Sequence, residues 1–222
     1  MTTARTRFAA LAGTALIAAG CSTDGSGSED PELATTQSEV EGVENFYGEF
    51  GDYATVTAAI RDGEVAEEDL EHPWVVQQDH VDASAGWDGE PPVYEMTPPA
   101  GGDHLSAWQT CDGAVYDGPI VDGNAVHSLE HGAVWLTYDP ELVDAPQVAA
   151  LSEKISGRDY SLMSPYPGQG VAVSLQSWGN RYQTDDAEDP KIDDYLDVYI
   201  LNEAFNPETM ATCSGGLATL AE

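Results

Sequence analysis

Basic side chains are nearly missing from this chain: 7 Lys and Arg stand against 40 Asp and Glu, a formal net charge of -33 over 222 residues. Arg5 and Arg7 lie in the first eight positions, so removing an N-terminal segment leaves an even more acidic protein. A surface of that sign repels phosphate backbones and anionic headgroups, which excludes nucleic-acid binding. Cationic partners and metal ions are favoured. The same acidity also serves solubility in general, so alone it points to no site.

Other absences narrow the chemistry. There is no Gly-x-Ser-x-Gly, no phosphate-binding loop and no dinucleotide fingerprint, so serine hydrolase, kinase and oxidoreductase readings lack local support. Cysteine occurs 3 times and never as Cys-x-x-Cys, which removes the usual dithiol redox motif. The apolar run Ala9 to Ala19 is too short to span the roughly 30 Å hydrocarbon layer as a stable helix, and polar residues follow it.

That run follows the basic residues Arg5 and Arg7 and leads through Ala18-Ala19-Gly20 to Cys21, the pattern of a secretory signal peptide over residues 1–20. The small residues before Cys21 resemble a bacterial lipobox, although Ala18 stands where Leu is usual. Cys21 is therefore the expected lipidation site, with simple secretion as the alternative. Residues 21–40 are rich in Ser, Thr, Gly and acid, suiting a flexible spacer. The protein is expected on the outer face of the cytoplasmic membrane, lipid-anchored, or secreted. Residues 41–222 have the size of one globular domain.

With Cys21 lipidated, Cys111 and Cys213 remain as the expected disulfide in a compartment that permits oxidation. A copper-thiolate role for Cys111 is the alternative.

Histidine is used 5 times, and four of those residues are His80, His104, His127 and His131. Asp79-His80-Val81-Asp82 precedes a Pro- and Gly-rich run to Gly102, a rigid irregular loop that delivers Asp103-His104. Asn124 is the expected N-cap and Gly132 the expected C′ residue of a short helix. On that helix His127 and His131 lie one turn apart on the same face, about 6 Å along the axis, with Glu130 beside His127. A strand would separate the two histidines by about 13 Å, so joint ligation of one ion predicts a helical turn.

The letters His127-Ser128-Leu129-Glu130-His131 match the inverted zinc-peptidase signature. The match is local, because Gly132 and the strand-like Ala133 to Tyr138 follow at once. His72, before Pro73, reads as an exposed loop residue outside the cluster. Met163 is a possible soft copper ligand but reads as core.

The rest of the scaffold is legible as alternating elements. Val56, Ala59 and Ile60 form a weak helical stripe. Ala133 to Tyr138 reads as a buried strand. Asp144 caps a helix carrying Val148, Leu151 and Ile155 and stopped by Gly157. Tyr160 to Ser164 is a short strand, Val171 to Leu175 alternates as a half-buried strand, and Pro190 opens a helix with the stripe Ile192, Leu196, Tyr199 and Ile200. The order gives an α/β (α+β) domain: a small mixed sheet covered by helices, after an irregular Pro/Gly-rich N-terminal half.

His80-Val81, Tyr94, Pro98-Pro99-Ala100-Gly101-Gly102-Asp103-His104, Trp108-Gln109-Thr110-Cys111, Val126 to Gly132, Pro165-Tyr166-Pro167 and Ser177-Trp178-Gly179 together resemble one bacterial family, the domain of unknown function 3105 family, over about residues 78–216. That family is typically secreted or membrane-attached. The resemblance implies that His80, His104, His127, Glu130, His131, Cys111 and Cys213 are family positions and His72 is not. It implies no activity. Asp112-Gly113-Ala114 departs from the family pattern, where Gly follows the cysteine directly.

Three functions fit these residues. The first is an extracytoplasmic protein that binds copper or zinc through His80, His104, His127 and His131, with Glu130 orienting or completing the shell. The second is a metal-dependent hydrolase with Glu130 as general base. The third is a metal-free binding module in which the histidines hold loops together.

Overall fold

Strand β3 (Val134–Tyr138) lies inside the sheet and is buried at every position, as its run of β-branched and aromatic residues requires. The computed structural model describes residues 40–81 and 92–221. Residues 1–39, which hold the expected signal peptide, Cys21 and nearly all of the spacer, lie outside the described residues, as do Asp82 and Pro91.

Helix α3 (Ala145–Ile155) carries the chain from β3 to β4 (Ser161–Pro165), which pairs with β3 in parallel, the arrangement that needs a crossover. The crossover starts from a capping box: Asp144 accepts from the Gln147 backbone N–H, and the Gln147 side chain accepts from that of Asp144. Leu151 and Ile155 are the buried face of α3. On the other side of β3, β5 (Val173–Ser177) pairs antiparallel and turns through Trp178-Gly179 into β6 (Asn180–Thr184). Short strands close both edges: β1 (Glu44–Asn45) against β6, and β2 (Asp112–Val115) parallel to β4. The order is β1-β6-β5-β3-β4-β2.

Three more α-helices lie among the described residues: α1 (Tyr53–Arg61), α2 (Asp122–Glu130) and α4 (Lys191–Tyr199). Asp52 caps α1 by accepting from Thr55 N–H, and Val56 and Ala59 are its buried stripe. Ile192, Tyr195, Leu196 and Tyr199 are the buried face of α4, while Ile200, expected in its stripe, is the C-cap in extended backbone. This is the expected single α+β domain, with one contiguous core running through sheet and helices.

Two local expectations are corrected. Strand β5 is buried on both faces, because its polar positions find partners inside: Ser174 accepts through Oγ from Gln176 and through its carbonyl from Thr137 Oγ1. Helix α2 begins two residues before Asn124, at Asp122, with Val121 at the N-cap. Asn124 sits inside the first turn and its side chain donates to the Ala107 carbonyl, holding the preceding loop against the helix.

Candidate metal centre

Three donor-bearing side chains come from the end of α2. All residues from Gly123 to Glu130 are buried, and the helix stops as its sequence predicts. Gly132 takes φ +92°, its N–H bonds to the Leu129 carbonyl at 2.9 Å, and Ala133 N–H bonds to Ser128 at 3.1 Å. This is a Schellman ending that favours glycine. A Cβ at Gly132 would also lie 2.5 Å from Asn206 Nδ2. The ending fixes His127, Glu130 and His131 at the mouth of β3.

The other two histidines come from irregular backbone held as if it were sheet. His80 and His104 form an isolated parallel bridge, with Val81 N–H on the His104 carbonyl at 2.8 Å and His104 N–H on Asp79 at 3.0 Å. The His104 segment is docked on α2 by Leu105 N–H to the Gly123 carbonyl, 3.2 Å. At Gly123 a Cβ would sit 2.8 Å from Leu105 Cγ, so only glycine lets the loop approach this closely.

The rings meet. Centroids of His80, His104 and His127 are 4.8 to 4.9 Å apart, and those of His127 and His131 are 4.7 Å apart. Three of the four rings are oriented by backbone carbonyls: His104 Nδ1 on Gly102 at 2.9 Å, His127 Nδ1 on Leu105 at 2.7 Å, and His131 Nδ1 on Thr212 at 2.9 Å. A neutral imidazole that donates through Nδ1 offers only the Nε2 lone pair, the arrangement in which metal-binding histidines are held by their outer partners.

The donors fall into two overlapping groups. His80, His104, His127 and Glu130 have ligand atoms all within 4.8 Å of one another, and so do His127, His131 and Glu208. In a tetrahedral site with bonds of about 2.1 Å the ligand atoms stand about 3.4 Å apart, so side-chain adjustments on the order of 1 Å bring the widest pair into range.

Glu130 is the decisive member. Its Oε2 is 2.9 Å from His104 Nε2 and 4.0 Å from His80 Nε2. His104 is 0% exposed and Glu130 2% exposed, and neither His104 Nε2 nor Glu130 Oε2 has a hydrogen-bond partner among the described residues. In the neutral ring whose proton lies on Nδ1, facing the Gly102 carbonyl, His104 Nε2 and Glu130 Oε2 are both acceptors. A shared proton or a cation satisfies that contact; apolar packing does not.

Burial also favours the neutral form of two rings, His127 and His131. Desolvation pushes His127 down to about 4 against the favourable Leu105 carbonyl, and His104 and His131 push in the same direction as burial. His131 is lowered for the same leading reason, with Thr212 and Glu208 opposing. Neutral imidazoles are the form that binds metal. All donors here are nitrogen and oxygen. Met163 is fully buried in β4 with Sδ beside Ser152 Oγ, and Cys111 is bonded to Cys213, so neither of these sulfurs is a ligand here.

The structure therefore gathers His80, His104, His127 and Glu130, and sets His131 one turn along with Glu208. His72 lies apart, half-buried, against Glu95, Phe46 and Trp74. One neighbour had no signal in the sequence. Glu208 reaches the site because its N–H bonds to the Glu130 carbonyl at 3.1 Å and the Cys111–Cys213 disulfide ties down the following residues. Trp108 packs on His127 and His131, ring centroids 5.9 and 5.2 Å away.

The disulfide fits an oxidising, extracytoplasmic environment. Among the described residues no helix is long and apolar enough to cross a membrane. A family model described as protein of unknown function (DUF3105) matches residues 88–215, which takes in His104, all of α2, Glu208 and both bonded cysteines but starts after His80. No curated protein and no solved structure matches the chain.

Proposed function

We propose that this chain, which belongs to the DUF3105 family of proteins of unknown function, binds one divalent transition-metal ion, zinc or copper(II), outside the cytoplasm. His104, His127 and Glu130 hold the ion, His80 closes the shell from the solvent side, and His131 stands beside them. The observation that carries this reading is the buried contact of His104 Nε2 with Glu130 Oε2 at 2.9 Å, neither atom having a hydrogen-bond partner among the described residues. The all-nitrogen-and-oxygen donor set argues for zinc or copper(II) over copper(I), which prefers thiolate and thioether.

Glu130 belongs to this reading as a ligand. A general base needs a water and a substrate before it, and a carboxylate 2% exposed against an imidazole is poorly placed for that role. The N-terminal export segment and a lipid on Cys21 would hold the domain at the outer face of the cytoplasmic membrane, a placement that mass spectrometry of the mature N-terminus checks directly.

The test uses chain without a histidine tag. Purified protein should carry, or take up from micromolar zinc or copper(II), about one ion per chain. Replacing His104 and His127 together should remove it. Absence of uptake by the unaltered chain would overturn the proposal.

A further inference from the structure

The two donor groups meet at one atom. His127 belongs to both, and its Nδ1 is engaged by the Leu105 carbonyl at 2.7 Å, so it has a single lone pair to give. His131 is held in the same way by Thr212, with its ring 4.7 Å from that of His127 and nearly perpendicular to it. Its Nε2 faces Glu208 Oε2 at 3.6 Å. The pattern of the first group is repeated: oriented imidazoles, a free Nε2 on each, and a carboxylate before them. The difference is access, since the Glu208 side chain is 48% exposed and the Glu130 side chain 2%.

Glu208 is held in place without being buried. Its backbone N–H bonds to the Glu130 carbonyl at 3.1 Å. Its neighbour Thr212 supplies the carbonyl for His131, and Cys213 is bonded to Cys111. This backbone restraint keeps the Glu208 carboxylate within reach of His131 Nε2.

We infer that His127, His131 and Glu208 form a second cation seat, alternative to the first, so that one divalent ion has two overlapping positions around the single free nitrogen of His127. This rests on the metal reading proposed above. Both seats cannot use His127 at once, so the chain holds one ion tightly and the solvent-side seat takes it when the buried seat is weakened.

Competition of this kind appears as non-additivity in a double-mutant cycle. Zinc affinity is measured by competition with a chromophoric chelator for the full chain, for E208Q, for H80A/E130Q, and for all three changes together. His80 is half-exposed and Glu130→Gln keeps the side-chain shape, so these changes are chosen to spare the fold, which circular dichroism checks. E208Q alone should alter the zinc Kd by less than threefold. H80A/E130Q should still bind one zinc, more weakly, and E208Q in that background should weaken it at least tenfold further.

Equal factors in the two backgrounds, no effect of Glu208 in the second, or complete loss of zinc from folded H80A/E130Q would each overturn the second seat. The H80A background alone carries the same comparison should E130Q unsettle the helix end. An unaltered chain that binds no zinc or copper(II) strikes instead at the metal reading, and the second seat falls with it.

Discussion

The inner wall of the site and its rim are built in opposite ways. His104, His127 and His131 form the wall, each buried, with Nδ1 fixed on a backbone carbonyl. His80 and Glu208 form the rim, their side chains 44% and 48% exposed. The wall's geometry is part of the fold, because helix end, loop and C-terminal segment must all be in place for the three carbonyls to meet the three rings. The rim contributes little to folding and is free to serve access. Damage to the buried ligands of the wall should therefore lower both stability and metal affinity, and loss of His80 from the rim should lower affinity alone.

The largest effect tests the strap behind the wall. Cys111 and Cys213 are 102 positions apart, and their bond carries the segment whose Thr212 carbonyl holds His131. Replacing both by serine should lower the unfolding free energy by up to about 4 to 5 kcal/mol in the chain-entropy account, measured by urea denaturation. An unchanged midpoint would break the link between strap and wall.

Next comes the direct contrast. H104A should weaken zinc or copper(II) by about 100-fold or more and lower the melting temperature, while H80A should weaken the metal by about tenfold and leave melting of the metal-free protein unchanged. Equal effects from the two would erase the distinction between wall and rim. A third change touches only the wall's support. G132A places a side chain at φ +92° and 2.5 Å from Asn206 Nδ2, and should cost about 1 to 3 kcal/mol of stability.

The smallest effect concerns acid. Burial lowers His127 to about 4 and lowers His131 as well, so between the unfolded value of about 6.5 and the folded one the unfolded chain binds more protons than the folded chain. Stability of the metal-free protein should fall as pH is lowered through that window. His127→Gln should flatten the slope of melting temperature against pH between about 6.5 and 4.

Much of this was legible in the sequence where one residue decides a local structure. Asp144 with Pro146 announced α3, Gly132 announced the end of α2, and the run from Ala133 announced β3. The i, i+4 spacing of His127 and His131 put them on one helical face, and the i+3 position put Glu130 beside His127; its contact with the loop histidines came only from tertiary packing. Strands β2 and β6 were hidden, because Asp112-Gly113-Ala114-Val115 contains a glycine and a bulge, and Asn180 to Thr184 is polar while pairing on both sides. Only tertiary packing makes them strands. Glu208 was hidden for a related reason: the disulfide and one backbone hydrogen bond bring it to the site, and neither leaves a periodic mark. Asn124 misled because a good N-cap residue can equally hold a neighbouring loop, as it does here on Ala107.

The claim on which everything else rests is that the buried meeting of His104 and Glu130 is a cation's place. Its most direct test is the metal content of untagged, dialysed full-length protein by elemental analysis after exposure to micromolar zinc or copper(II), beside the H104A/H127A variant. About one ion per chain in the first and none in the second is the expected result. Metal-free protein in both, with the fold intact, would contradict it.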